Sequence, residues 1–145
     1  MTTYSNESSQ IRRTFSNSWI NAVMVAVNRD EQMSRRSLNF HADMHLSFGS
    51  IEYALKIQNG QIVNVEEYIG LTKPWDFSLR ATEAIWMELL HSTPSPRRHS
   101  IFALMKSGDM RIEGNMKLFM QHVWPIIRII ELMRITQEED INGKD

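Results

Sequence analysis

At 145 residues the chain has the size of one domain and can bury roughly 68% of the surface its unfolded form exposes. Lys and Arg number 16 against 17 Asp and Glu, so the net charge of −1 supplies no field for nucleic acid or an anionic membrane. The absence of cysteine excludes disulfides, thiolate nucleophiles and cysteine-ligated zinc.

Residues 1–15 form a polar arm without the apolar stretch of a signal peptide, and they are expected to be flexible. No run approaches the ~18 apolar residues of a membrane span, so no integral membrane segment and a cytoplasmic location are expected. Ser16 or Asn17 can cap a helix bearing Trp19, Ala22, Val23, Ala26 and Val27 at three- and four-residue spacings. The charged stretch 29–37 reads as a fraying helix end or a connection.

From Phe40 the period becomes two: Phe40, Ala42, Met44, Leu46 and Phe48 alternate with His41, Asp43, His45 and Ser47, giving one apolar face and one wet face. Tyr53, Leu55 and Ile57 form a second strand that ends at Asn59-Gly60, the strongest short hairpin signal, because a type I′ turn needs positive φ at both central residues. The return strand spans 61–68 with Val63 and Val65 in phase, and a fourth spans 75–81 with Trp75, Phe77 and Leu79 alternating. Thr82 can cap a helix with a stripe of Ile85, Trp86, Leu89 and Leu90. Pro94 and Pro96 then force a loop through Arg97 and Arg98. A short helix follows over 99–106, ended by Gly108, and Met110 and Ile112 mark a brief fifth strand. Asn115 caps a last helix over 115–134, expected to kink at Pro125, and 135–145 reads as a disordered tail.

Ten methionines suit either ordinary core filling or walls that adapt to loosely defined apolar shapes. Beyond Pro125, Ile126, Ile127, Ile129, Ile130, Leu132 and Met133 cover more of the helix circumference than one sheet face can bury. That surplus predicts contact with a ligand, a second subunit or a membrane interface, a homodimer through this helix being the plainest.

The best catalytic candidate is His41-x-Asp43-x-His45, three metal-capable side chains on one strand face. Along a strand the two histidines stand about 13 Å apart, too far to share one ion. There is no H-E-x-x-H, phosphate loop, dinucleotide fingerprint or nucleophile elbow. No metal, cofactor or catalytic residue is therefore expected.

The stretch Phe102-Ala-Leu-Met-Lys-Ser-Gly-Asp-Met-Arg-Ile-Glu-Gly-Asn-Met-Lys117 resembles the hallmark of the sterol carrier protein type two (SCP-2) family: a short helix ending at a glycine, a strand, and a second glycine starting the last helix. The Ile57-Gln-Asn-Gly-Gln-Ile62 hairpin and the Trp75-Asp-Phe-Ser-Leu-Arg-Ala-Thr82 strand support it, and the resemblance covers 19–134. It implies an α+β fold over 16–134, a five-stranded, mostly antiparallel sheet covered on one face by helices around a hydrophobic tunnel. It also implies an apolar ligand (fatty acyl, sterol or related lipid) held without covalent chemistry by Trp86, Leu90, Phe102, Met105, Met110, Met116, Phe119, Met120, Val123 and Trp124. Where the family commonly has a glycine-containing turn, this chain has Pro94, Pro96, Arg97 and Arg98, and those arginines either stand in solvent or receive an anionic head group. The rival readings are an accessory or dimerisation module built on the Ile-rich helix and an enzyme acting on a hydrophobic substrate. The chain also ends without the peroxisomal address found on some relatives.

Overall fold

Ser16 opens the first helix as the spacing predicts. Its hydroxyl accepts from the Trp19 amide at 3.1 Å, and α1 (Asn17–Arg29) buries Trp19, Ile20, Val23 and Val27 along one stripe. The computed structural model describes residues 14–67, 74–91 and 101–142, with side chains in the last stretch as far as Gln137. The charged stretch after Arg29 is a second short helix, α2 (Glu31–Arg36), rather than a frayed end, because the Asp30 carboxylate caps it by accepting from the Met33 amide at 3.0 Å.

Asp30 also receives a fork from Arg128 on the last helix, Nη2 to Oδ1 at 2.7 Å and Nε to Oδ2 at 3.1 Å. The arginine holds the Asp30 carboxyl below its ordinary value of 3.8. A depressed folded-state pKa adds stability that is present above the unfolded value and disappears as pH falls through the folded one. Asp30→Ala is expected to cost about 2–3 kcal/mol, roughly 1 from the cap and the rest from the pair. Asp30→Asn should restore the cap share, and urea unfolding of the two variants at neutral pH separates the terms.

Five strands follow: β1 (Ala42–Phe48), β2 (Ile51–Gln58), β3 (Gln61–Glu67), β4 (Phe77–Ala81) and β5 (Arg111–Gly114). They lie in the order β3-β2-β1-β4-β5, every pair antiparallel except β1 with β4. The hairpin turn is the type I′ predicted, with φ of 54° at Asn59 and 75° at Gly60. A Cβ at Gly60 would also come within 2.5 Å of the Ser37 carbonyl, so the turn is packed against the end of α2. In β3 the expected phase of Val63 with Val65 is corrected. A bulge between Lys56 and Ile57 pairs Ile57 with Ile62 and Leu55 with Val65, which buries Ile62 and leaves Val63 outside.

Ala42, Met44, Leu46 and Phe48 point from β1 into the core, where Phe40, Phe77, Leu79, Leu55 and Ile57 join them. Thr82 caps α3 (Glu83–Leu89) through the Ile85 amide, and Trp86 and Leu89 turn inward. The single kinked helix expected over 115–134 is two helices, α5 (Met116–Gln121) and α6 (Val123–Asn142), broken at His122. Pro125 falls in the first turn of α6, where a missing N–H costs nothing, so the chain restarts a helix there instead of bending one. α6 continues past Arg134 to Asn142.

Burial of α6 overturns the argument from surplus surface. Ile126, Ile129, Ile130, Leu132 and Met133 are all buried, and of the large apolar residues described on α6 only Ile127 and Ile135 are exposed. α1 and α2 pack along the helix, and Arg134 and Gln137 reach α3, so neighbouring helices cover what the sheet cannot.

Candidate ligand-binding site

The segment that carries the resemblance folds as one unit. α4 (Ile101–Ser107) ends at Gly108 with φ 86°, the Met110 amide returns to the Leu104 carbonyl at 3.1 Å, and β5 delivers Asn115, whose side chain caps α5. In α5 the helical period divides its side chains. Phe119 turns fully inward, edge-on to Phe77 at 5.7 Å and Phe102 at 6.5 Å, while Met116 and Met120, four residues apart, point outward.

Of the residues expected around a ligand, Trp86, Leu90, Met110 and Phe119 are buried and Met105, Val123 and Trp124 are half-buried. Phe102, Met116 and Met120 are 40%, 37% and 56% exposed. Trp86 has structural work: its indole N–H donates to the Ser47 carbonyl at 2.7 Å, and its ring lies 4.6 Å from that of Phe48. Trp124 carries the Arg36 guanidinium 4.0 Å over its ring. Arg97 and Arg98 lie outside the described residues.

The concavities walled by described residues include three near the sheet and its first helix. One of about 500 Å³ lies among His41, Asp43, Lys56, Asn59 and Asp76. A second of about 250 Å³ continues past Asp43 and Lys56 to Leu55, Asn64 and Trp75. The third, about 400 Å³, lies beside Phe15, Ile51 and Tyr53. None of these three is walled by the residues expected around a ligand.

The strand face expected to be wet holds a buried polar cluster instead. His45 is completely buried, its Nδ1 2.7 Å from Ser78 Oγ and its Nε2 2.7 Å from Glu52 Oε1, with the Trp75 ring stacked 5.7 Å away. A carboxylate only accepts, so the ring proton sits on Nε2 and Nδ1 accepts from the Ser78 hydroxyl. Desolvation lowers the His45 pKa below 6.5, with the hydrogen bond to Glu52 opposing it. The connectivity is that of a serine nucleophile, a base and an orienting carboxylate, but Ser78 has no exposed surface and its hydroxyl is committed to the ring, so no substrate carbonyl reaches it. Sequence reasoning missed this cluster because 45, 52 and 78 carry no motif; the antiparallel pairing of β1 with β2 brings Glu52 to His45, and the parallel pairing with β4 brings Ser78. His41 precedes β1 and accepts from the Asn59 amide at 3.1 Å. Among the described residues no group of three metal-capable side chains forms, so the His41, Asp43 and His45 trio is not a metal centre there.

No protein-family model and no curated protein match the chain. Among solved structures it is similar to a crystal structure of sterol carrier protein 2, at TM-score 0.67 and 15% identity, with 83% of this chain and 96% of that one covered. A solution structure of a conserved hypothetical protein from Thermus thermophilus gives TM-score 0.67 and 15% identity over 84% and 88% of the two chains. The UbiJ-SCP2 ubiquinone synthesis protein gives 0.53 and 14% over 93% and 97%. The mixed five-stranded sheet with its helical layer is therefore the sterol carrier protein 2 fold.

Proposed function

We propose that the chain binds or carries an apolar small molecule, of fatty acyl, sterol or related lipid type, without covalent chemistry and in the cytoplasm. The observation that carries this reading is the arrangement around Phe119: an inner pair of rings, Phe119 edge-on to Phe77, beside the exposed Phe102, with Met116 and Met120 exposed on the same short helix as Phe119. A lip of one phenylalanine and two methionines costs hydration, and flexible thioethers accommodate a varied apolar guest better than branched chains do. Each methylene of such a guest gains about 0.8 kcal/mol on burial. Two structural neighbours, named as sterol carrier proteins, support the ligand class. Val123, Trp124, Met105, Trp86 and Leu90 complete the proposed wall, and Arg97 and Arg98 are proposed contacts for a head group. The rival dimerisation module rested on the Ile-rich helix, whose Ile126 and Ile129 are inside the domain.

Native mass spectrometry of gently purified protein is expected to show co-purified lipid. A chain that remains empty, and also fails to respond to acyl and sterol probes, defeats the proposal. Met116→Glu with Met120→Glu should leave the thermal midpoint nearly unchanged, since both positions are exposed, and reduce uptake of a fluorescent fatty acid by roughly tenfold or more. Uptake unaltered by two carboxylates on the lip would move the entrance elsewhere.

A further inference from the structure

We infer that the face of the sheet turned away from the core carries a second site, one that takes a free α-amino acid with an apolar side chain. It is independent of the apolar-ligand reading above, since none of its residues belongs to the wall proposed around Phe119. Two of the concavities already described meet on this face: the one of about 500 Å³ and the one of about 250 Å³ are both lined by Asp43 and Lys56. Together they have the volume of a small-molecule cleft, and charged groups stand where they join.

Strand pairing builds the junction. Asp43 on β1 lies directly across from Lys56 on β2, and alternation puts both side chains on the face away from the buried Met44 and Leu55. Just before β4, Asp76 is tied to β1 by two hydrogen bonds: its amide donates to the Asp43 carbonyl at 2.8 Å, and its Oδ2 accepts from the Asp43 amide at 2.7 Å. Near the hairpin turn the Asn59 amide donates to His41 Nδ1 at 3.1 Å, which puts the ring proton on Nε2. His41, Asp43, Lys56 and Asp76 all line the larger concavity.

Opposite charges directly across an antiparallel pair ordinarily bind each other. Here Asp43, Lys56 and Asp76 form no ion pair among the described residues, so two carboxylates and an ammonium share one junction uncompensated. A ligand that matches them has an ammonium for the carboxylates and a carboxylate for Lys56 and the His41 Nε2–H. An α-amino acid carries both groups on one carbon, which suits charges held across a single strand pair. A simple amine would leave Lys56 unmatched, and a simple acid would face two carboxylates. Beyond the junction the smaller concavity is walled by Ala54, Pro74 and the half-buried Trp75, whose ring is held from behind by stacking on His45. An apolar side chain, and best an aromatic one, fills that space against the indole.

The test titrates L-phenylalanine, phenethylamine and hydrocinnamate into the full isotope-labelled chain and follows the Trp75 indole N–H resonance, identified by its proximity to the His45 ring. The resonance is expected to move saturably with L-phenylalanine, at a Kd on the order of 1 mM or below, and each one-charge analogue to bind about tenfold more weakly or worse. Asp43→Asn and Lys56→Gln should each weaken L-phenylalanine about tenfold and leave the urea midpoint unchanged, since both side chains are exposed. Phenethylamine bound as tightly as the amino acid would mark a cation site, and hydrocinnamate bound as tightly an anion site; either result overturns the inference. L-phenylalanine affinity unaltered in both variants overturns it too. So does a resonance that L-phenylalanine leaves unmoved in the wild type, a readout that needs no variant to fold.

Discussion

Ile129→Glu is expected to unfold the chain, whereas Ile127→Glu, two residues away, should change its stability by no more than about 0.5 kcal/mol. Ile129 is 1% exposed and Ile127 36%. Removing the buried side chain costs about 2–5 kcal/mol, and a carboxylate with no partner in that place adds several more. Together these equal or exceed much of the roughly 5–15 kcal/mol that a domain of this size has in total. The contrast also decides the role of the Ile-rich helix. If Ile126 and Ile129 held two chains together, the glutamate variants would be folded monomers. With those residues buried inside the domain, Ile129→Glu should lose its far-UV signal and cooperative urea transition, and Ile127→Glu should keep both. A folded, monomeric Ile129→Glu protein would return the helix to an interface.

Local signals in the sequence carried most of the element order. Ser16, Thr82 and Asn115 cap helices where their positions relative to apolar stripes say they should. Asn59-Gly60 makes its turn because few other pairs tolerate two positive φ angles. What escaped was decided between distant segments. The parallel pairing of β1 with β4 has no local signature, and without it His45 and Ser47 read as solvated when they are buried. The bulge at Lys56/Ile57 is one residue of slippage, which an alternation count over Val63 and Val65 passes over. The fate of the Ile-rich helix was misjudged by weighing it against a sheet alone, although α1 supplies a second apolar surface. Within the proposed site, Phe119 is inward, as its stripe predicted, whereas Met116 and Met120 of that stripe are outward, because at about 100° per residue α5 turns Met120 a quarter of the circumference or more away from the inward Phe119.

The buried cluster around His45 yields the second large effect and the pH dependence of the fold. His45→Ala would leave the Ser78 hydroxyl buried without an acceptor and open a void under Trp75, with an expected cost of about 2–4 kcal/mol. Glu52 is partly exposed and can be rehydrated, so it adds little to that figure. Because burial holds the His45 pKa below 6.5, the unfolded chain takes up a proton at mildly acidic pH that the folded chain refuses. The contribution is therefore fully present above pH 6.5, falls as pH drops below it, and levels off once the folded-state value is passed. Asp30 acts in a lower window, since its stabilisation is retained until pH falls below 3.8. Urea midpoints measured from pH 7.5 to pH 5 should decline in the wild type and stay flatter in His45→Gln, which can still accept from Ser78 and does not titrate. Parallel declines in the two proteins would mean that another group sets the slope and that the histidine is charged inside the fold.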